Sequence, residues 1–280
     1  MSQSDSRPIG LFDSGVGGLS VLNATRLALP GENLIYLGDT ARVPYGTKSS
    51  LSITRYAEQA LKALLRYDIK TLVVACNTAA AAALDALQAS YPELHIIGVI
   101  DPGARAAVNV TRTGKIGVIA TESTVNNQAY QKAILSLMPD ANVKSAGCSL
   151  FVALAEEGWH EGELVEAIVK RSLSGLFDHY RDSDDYPDTL VLGCTHFPAL
   201  KTAISRVVGD SVSLVDSAVT TAAVVKKQLT DRGMLNPGSD GYVRFLVTDG
   251  PERFARVAPR FYSETIEAEQ VELIDIQHFV

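Results

Sequence analysis

The chain has 280 residues, 46% hydrophobic and 20% charged, which is enough apolar material for filled cores and too little charge for a disordered polymer. A net charge of −7 gives no basic footprint for nucleic acid or for an anionic membrane surface. No apolar stretch approaches the ~20 residues that span a bilayer, and the polar residues 1–7 are not followed by the core of a secretion signal. Three cysteines, Cys76, Cys148 and Cys194, do not make a disulfide framework. These features lead to the expectation of a cytoplasmic two-domain protein with free thiols and a small-molecule substrate, needing no nucleic acid and no membrane.

In chain order, short β-branched runs alternate with longer helical patterns. Strands are predicted at 9–12, 34–37, 71–75, 96–99, 116–119, 189–192 and 212–215, and helices at 49–67, 78–90, 123–137, 161–180 and 217–232. The strand runs are apolar on both faces, as in a parallel sheet covered by helices. Helix 49–67 carries Leu51, Ala57, Leu61, Leu64 and Leu65 close to one stripe. The expected architecture is α/β with βαβ crossovers.

The first strand ends in Asp13-Ser14 and runs into the glycine-rich turn Gly15-Val16-Gly17-Gly18. With Asp39 about 20 residues on, that turn also permits a dinucleotide-binding reading. Ser20 stands where the third glycine of that fingerprint belongs, and the reading leaves the cysteines unexplained. Asp13 could orient a substrate ammonium, assist a thiol, or simply cap a helix.

The third strand ends in Thr71-Leu72-Val73-Val74-Ala75-Cys76-Asn77-Thr78, and the sixth repeats the build as Thr189-Leu190-Val191-Leu192-Gly193-Cys194-Thr195-His196. A weaker echo relates 8–14 to 115–121. Two similar domains follow, each with a cysteine just past a strand's carboxyl end, where open α/β sheets carry their functional groups. Facing each other, two thiols could exchange a proton across a substrate α-carbon, one as base and one as acid. Each is expected at the mouth of a following helix, whose dipole would favour a thiolate. His196 could stabilise that thiolate or relay its proton. Cys148 has no matching partner and reads as packing. Thiol hydrolysis with Cys194 and His196 is disfavoured, since positions i and i+2 do not face each other on a helix. A non-catalytic amino-acid-binding protein stays open.

Four blocks in order carry a specific resemblance: 12–19 (Phe-Asp-Ser-Gly-Val-Gly-Gly-Leu), 39–49 around Arg42, Tyr45 and Gly46, 74–79 around Cys76, and 192–198 around Cys194. With these the chain resembles the glutamate racemases of bacterial cell-wall synthesis, a branch of the Asp/Glu racemase superfamily, from Ile9 to about Asp249. The resemblance implies Cys76 and Cys194 as proton donors and acceptors, with no pyridoxal phosphate, metal or nucleotide. It implies that Asp13 and His196 assist the thiols. Asp13, Ser14, Tyr45, Gly46, Asn77, Thr78, Thr195 and His196 are then expected to bind substrate, and Asp39 and Glu156, or its neighbour Glu157, to be further acidic positions. It also implies a first domain of 1–98 plus 209–280 and a second of 99–208. Relatives of this kind differ in forming homodimers. Aspartate racemases are the nearest alternative, but their second Cys-Thr is usually followed by Glu, where this chain has His196.

Overall fold

The structure, a computed structural model, describes residues 5–178 and 186–278. Its strands are β1 (Ile9–Asp13), β2 (Leu34–Gly38), β3 (Thr71–Val74), β4 (His95–Gly98), β5 (Lys115–Ala120), β6 (Asn142–Gly147), β7 (Thr189–Gly193), β8 (Ser213–Asp216), β9 (Val243–Val247) and β10 (Val271–Leu273). They form two sheets, ordered β10-β9-β2-β1-β3-β4 and β6-β5-β7-β8, and every pairing is parallel. The buried runs Ile9–Asp13, Thr71–Val74 and Thr189–Gly193 explain this, because both faces of each strand are covered.

The internal echo is a true duplication of topology. Strands β6-β5-β7-β8 repeat β2-β1-β3-β4, and the registers match: Ile9 lies opposite Thr71, and Ile116 opposite Thr189. From that alignment Cys76 and Cys194 hold equivalent positions, as do Ser14 and Thr121. In each sheet the chain leaves its first strand in one direction and returns on the other side. The crevice at this switch point, between β1 and β3 and between β5 and β7, is where such sheets receive ligands.

Several elements differ from expectation for local physical reasons. The predicted helix 123–137 is two helices, Glu122–Asn126 and Ala129–Leu137, because Gln128 takes a left-handed conformation with φ of 55°. The predicted helix 161–180 runs from Glu163 to Phe177, and Tyr180 lies outside the described residues. Strand β6 has no apolar run to signal it, being a half-exposed edge strand. Helix Ile100–Val110 contains Pro102 and Gly103, and the proline is tolerated because it falls in the first turn. Strand β8 continues the second sheet past residue 208, where that domain was expected to end. We therefore propose the second crossing between domains after Asp216, and the first after β4.

Candidate active site

Cys76 ends the turn after β3 and caps helix Asn77–Ser90, its sulfur accepting the Ala79 N–H at 3.4 Å. An alanine-rich sequence continues the helix without bulk near the thiol. Cys194 follows β7, but no α-helix opens on it. Residues Phe197–Leu200 form a tighter 3-10 turn, and the α-helix starts only at Lys201. The expected helix mouth at Cys194 is thus replaced by an imidazole, with His196 Nδ1 3.8 Å from the sulfur.

Both thiols line one cavity between the two sheets, together with Ser14, Val43, Pro44, Tyr45, Gly46, Asn77, Thr78, Thr121, Val152, Glu156, Thr195 and His196. Its volume is about 40 Å³, room for roughly one to three waters. This is a closed cleft. Thr78 and Thr121 meet across it at 2.9 Å, Tyr130 donates to Asn77 Oδ1 at 2.7 Å, and Ser20 donates to the Thr195 carbonyl at 3.2 Å. With its oxygen engaged, Asn77 keeps an unpartnered buried Nδ2 donor, suited to a carboxylate.

The two thiols sit in opposite electrostatic company. Burial pushes the Cys76 thiol up to about 12, and the Asp13 carboxylate adds to this. The Ala79 N–H and the Ser14 hydroxyl, 3.6 Å from the sulfur, oppose it and are outweighed. The lowering expected from a helix mouth is therefore not realised in the closed cleft. Asp13 is wholly buried beneath the cavity, one oxygen accepting the Gly15 N–H at 2.9 Å and the other unpartnered. Burial raises its own pKa.

On the other wall, burial opposes charge on His196, but its hydrogen bonds to Cys194 and Glu156 prevail and raise it to about 10. Burial likewise raises Glu156, and His196 and Arg253 overcome this to hold it at about 2. Glu156, and not the exposed Glu157, makes the 3.1 Å contact to His196 Nε2. The sign of the pH dependence follows. His196 stabilises the fold fully below its ordinary 6.5 and loses that contribution as pH rises toward 10, whereas Glu156 contributes above 4.5 and loses it as pH falls through 2. The difference in unfolding free energy between wild type and Glu156→Gln should therefore shrink steadily from pH 6.5 to 10 in urea titrations, and a flat difference would count against the pair.

Asp39 does not line the cavity. Its carboxylate is consumed by Arg42 at 2.7 Å, Thr248 at 2.9 Å and the Tyr45 hydroxyl, so it holds the 42–46 loop against the site. The glycine turn is likewise committed to packing, since an added Cβ at Gly17 would strike His196 and Thr195. Neither group is available to hold a dinucleotide in this arrangement. Cys148 is buried in the core of the second domain. Thr121, Val152 and Arg253 were missed in the sequence. Thr121 was nonetheless legible as the counterpart of Ser14 in the weaker echo.

Paired strand-end thiols in a duplicated α/β frame are the hallmark here of a racemase-class isomerase, and the comparisons agree: residues 20–225 match the sequence model of the Asp/Glu/Hydantoin racemase family, to which this chain belongs. Within that family it groups with the glutamate racemases. It is 48% identical to the glutamate racemase of Geobacter metallireducens over 94% of this chain and 98% of that one, and 45% identical to that of Neisseria meningitidis over 96% and 97%. Among solved structures it is similar to glutamate racemase from Francisella tularensis in complex with D-glutamate, with TM-score 0.89, 36% identity, and coverage of 98% and 99%.

Proposed function

We propose that this chain interconverts L- and D-glutamate through two opposed thiols and without pyridoxal phosphate. The observation that carries the reading is that Cys76 and Cys194, at equivalent ends of β3 and β7, line one cavity from two different sheets. One cysteine, as thiolate, takes the α-proton and becomes a thiol. The opposite thiol gives its proton to the other face of the carbanion and becomes the thiolate. Configuration inverts and no bond to sulfur persists. Cys194 serves L-glutamate and Cys76 serves D-glutamate in this scheme. His196, with Nδ1 3.8 Å from the sulfur, assists proton transfer at Cys194, and Asp13 assists at Cys76.

Ser14, Tyr45, Gly46, Asn77, Thr78, Thr195 and His196 are the groups that would hold the carboxylates and ammonium. The unpartnered Asn77 amide supports this. Among the described residues, no lysine lines the cavity, so it offers no amine for a Schiff base. Two thiols that must stay reduced suit a cytoplasmic enzyme supplying D-glutamate for peptidoglycan. No helix among the described residues is long and apolar enough to cross a membrane.

The test is circular dichroism of chelator-treated, cofactor-stripped protein with each enantiomer of glutamate and of aspartate. Racemisation of both glutamates at matching kcat/KM is expected, because enantiomers have equal free energy. A requirement for added pyridoxal phosphate, or a preference for aspartate, would overturn the proposal.

A further inference from the structure

The segment after β9 reaches across from the first domain to the wall that carries Cys194. Arg253, on helix Pro251–Val257, donates from Nη2 to Glu156 Oε2 at 2.7 Å. The other oxygen of Glu156 lies 3.1 Å from His196 Nε2, and His196 Nδ1 lies 3.8 Å from Cys194 Sγ. Further along the same segment, Phe261 packs edge-on with the imidazole, ring centroids 5.2 Å apart and planes at 78°. One side of the cleft thus supplies Arg253 and Phe261, and the other supplies Glu156, His196 and Cys194.

We propose that Arg253 is a positioning residue for the Cys194 half of the reaction: by holding the far oxygen of Glu156 it aims the near oxygen at His196 Nε2 and presents Nδ1 to the thiol, and it does so only while the cleft is closed. This rests on the reading of Cys194 as an α-proton acceptor and donor. The two oxygens of a carboxylate share a plane, so fixing one directs the other. The bond made by one imidazole nitrogen decides what the other can offer. Arg253 is 49% exposed, so its ion pair contributes little to stability, and its effect lies in direction. The charged groups facing this chain of contacts are Asp13 and Cys194 at His196, and His196 and Arg253 at Glu156. Cys76 has no such chain. Its neighbours are the Ser14 hydroxyl, the Ala79 N–H and Asp13.

Racemisation rates alone would hide a one-sided effect, because kcat/KM must change equally in both directions when the equilibrium constant is one. Single-thiol proteins separate the halves. Cys76→Ser keeps Cys194 and should exchange the α-proton of L-glutamate with deuterated water, and Cys194→Ser should do so for D-glutamate. Adding Arg253→Gln to the first should slow its exchange about tenfold, within the range caused by a misplaced reacting group. Arg253→Lys should restore most of it, because a single donated bond is in use. The same Gln substitution in the second protein should cost far less. Equal losses in both, or no loss in the first, would overturn the proposal, whereas parents that exchange nothing would overturn the two-thiol reading instead. An independent readout uses the otherwise unaltered chain. Arg253→Gln should abolish a slowly exchanging His196 Nε2–H resonance in NMR, and its persistence would overturn the proposal whatever the kinetics.

Discussion

Cys76→Ser and Cys194→Ser should each lower racemisation by about 10³- to 10⁴-fold, the full worth of one positioned proton donor or acceptor. A serine hydroxyl is far too weak an acid to fill either role near neutral pH. The loss should still be incomplete in a particular way. The surviving thiol faces one side of the α-carbon, so it can remove a proton and return a deuteron from solvent without inversion. That exchange should be slow, since no acid stands opposite. Because Cys76 and Cys194 belong to different sheets, the two variants should act on opposite enantiomers, Cys194→Ser on D-glutamate and Cys76→Ser on L-glutamate. Proton NMR of each variant with each pure enantiomer measures this. Near-wild-type racemisation by either one, or exchange of the same enantiomer by both, would show the two-face assignment to be wrong.

The closed cleft makes the energetic demand on these thiols explicit. Cys76 is buried above an equally buried Asp13, and both are pushed toward their neutral forms. A Cys76 thiolate is therefore costly until substrate arrives. The ammonium of an amino acid is the natural counter-charge. Beside Cys194 stands His196 instead, whose charged form the hydrogen bonds to Cys194 and Glu156 favour. The two halves of a chemically symmetrical reaction are thus served by unlike surroundings, a carboxylate under one thiol and an imidazole beside the other.

What the sequence made legible was whatever depends on contiguous residues. The apolar strands and the repeated Thr-Leu-Val run ending in cysteine are local, and they lie within a residue or so of where they were expected, with Ser14, Asn77 and Thr195 just past the strand ends. Contacts set by closure of one domain on the other were not legible. Nothing near Glu156 announces Arg253, which is 97 residues away and joined to it by a single bond. Asp39 looked like a site residue because it follows the glycine turn by about 20 residues and matches an acidic position that the family resemblance implies, yet three side chains close around it and turn it into a strut for Tyr45. Edge strand β6 was missed because half of its surface faces solvent, so its residues need not be apolar. The break at Gln128 was missed because a left-handed glutamine has no local signature.

Gly17→Ala should lower kcat/KM about a hundredfold while leaving the fold intact, the scale set by displacing reacting groups by about 1 Å. A Cβ at this position would lie 2.4 Å from Cε1 and Nδ1 of His196 and 2.5 Å from Thr195 Oγ1, and these three nearest atoms all belong to the opposite domain. No real side chain tolerates such distances, so something must move. The least costly response is for the domains to stay apart, because opening relieves the clash without disturbing either core. It would also separate Ser20 from the Thr195 carbonyl and Arg253 from Glu156. The adjacent glycine supplies the control. At Gly18 an added Cβ would lie 2.4 Å from Asp13 Cβ and 3.0 Å from the Tyr36 hydroxyl, both within its own domain, so Gly18→Ala should lower stability as well as activity. Urea unfolding and kcat/KM measured side by side separate the two cases. Wild-type activity in Gly17→Ala would mean that catalysis does not need His196 held against the glycine turn.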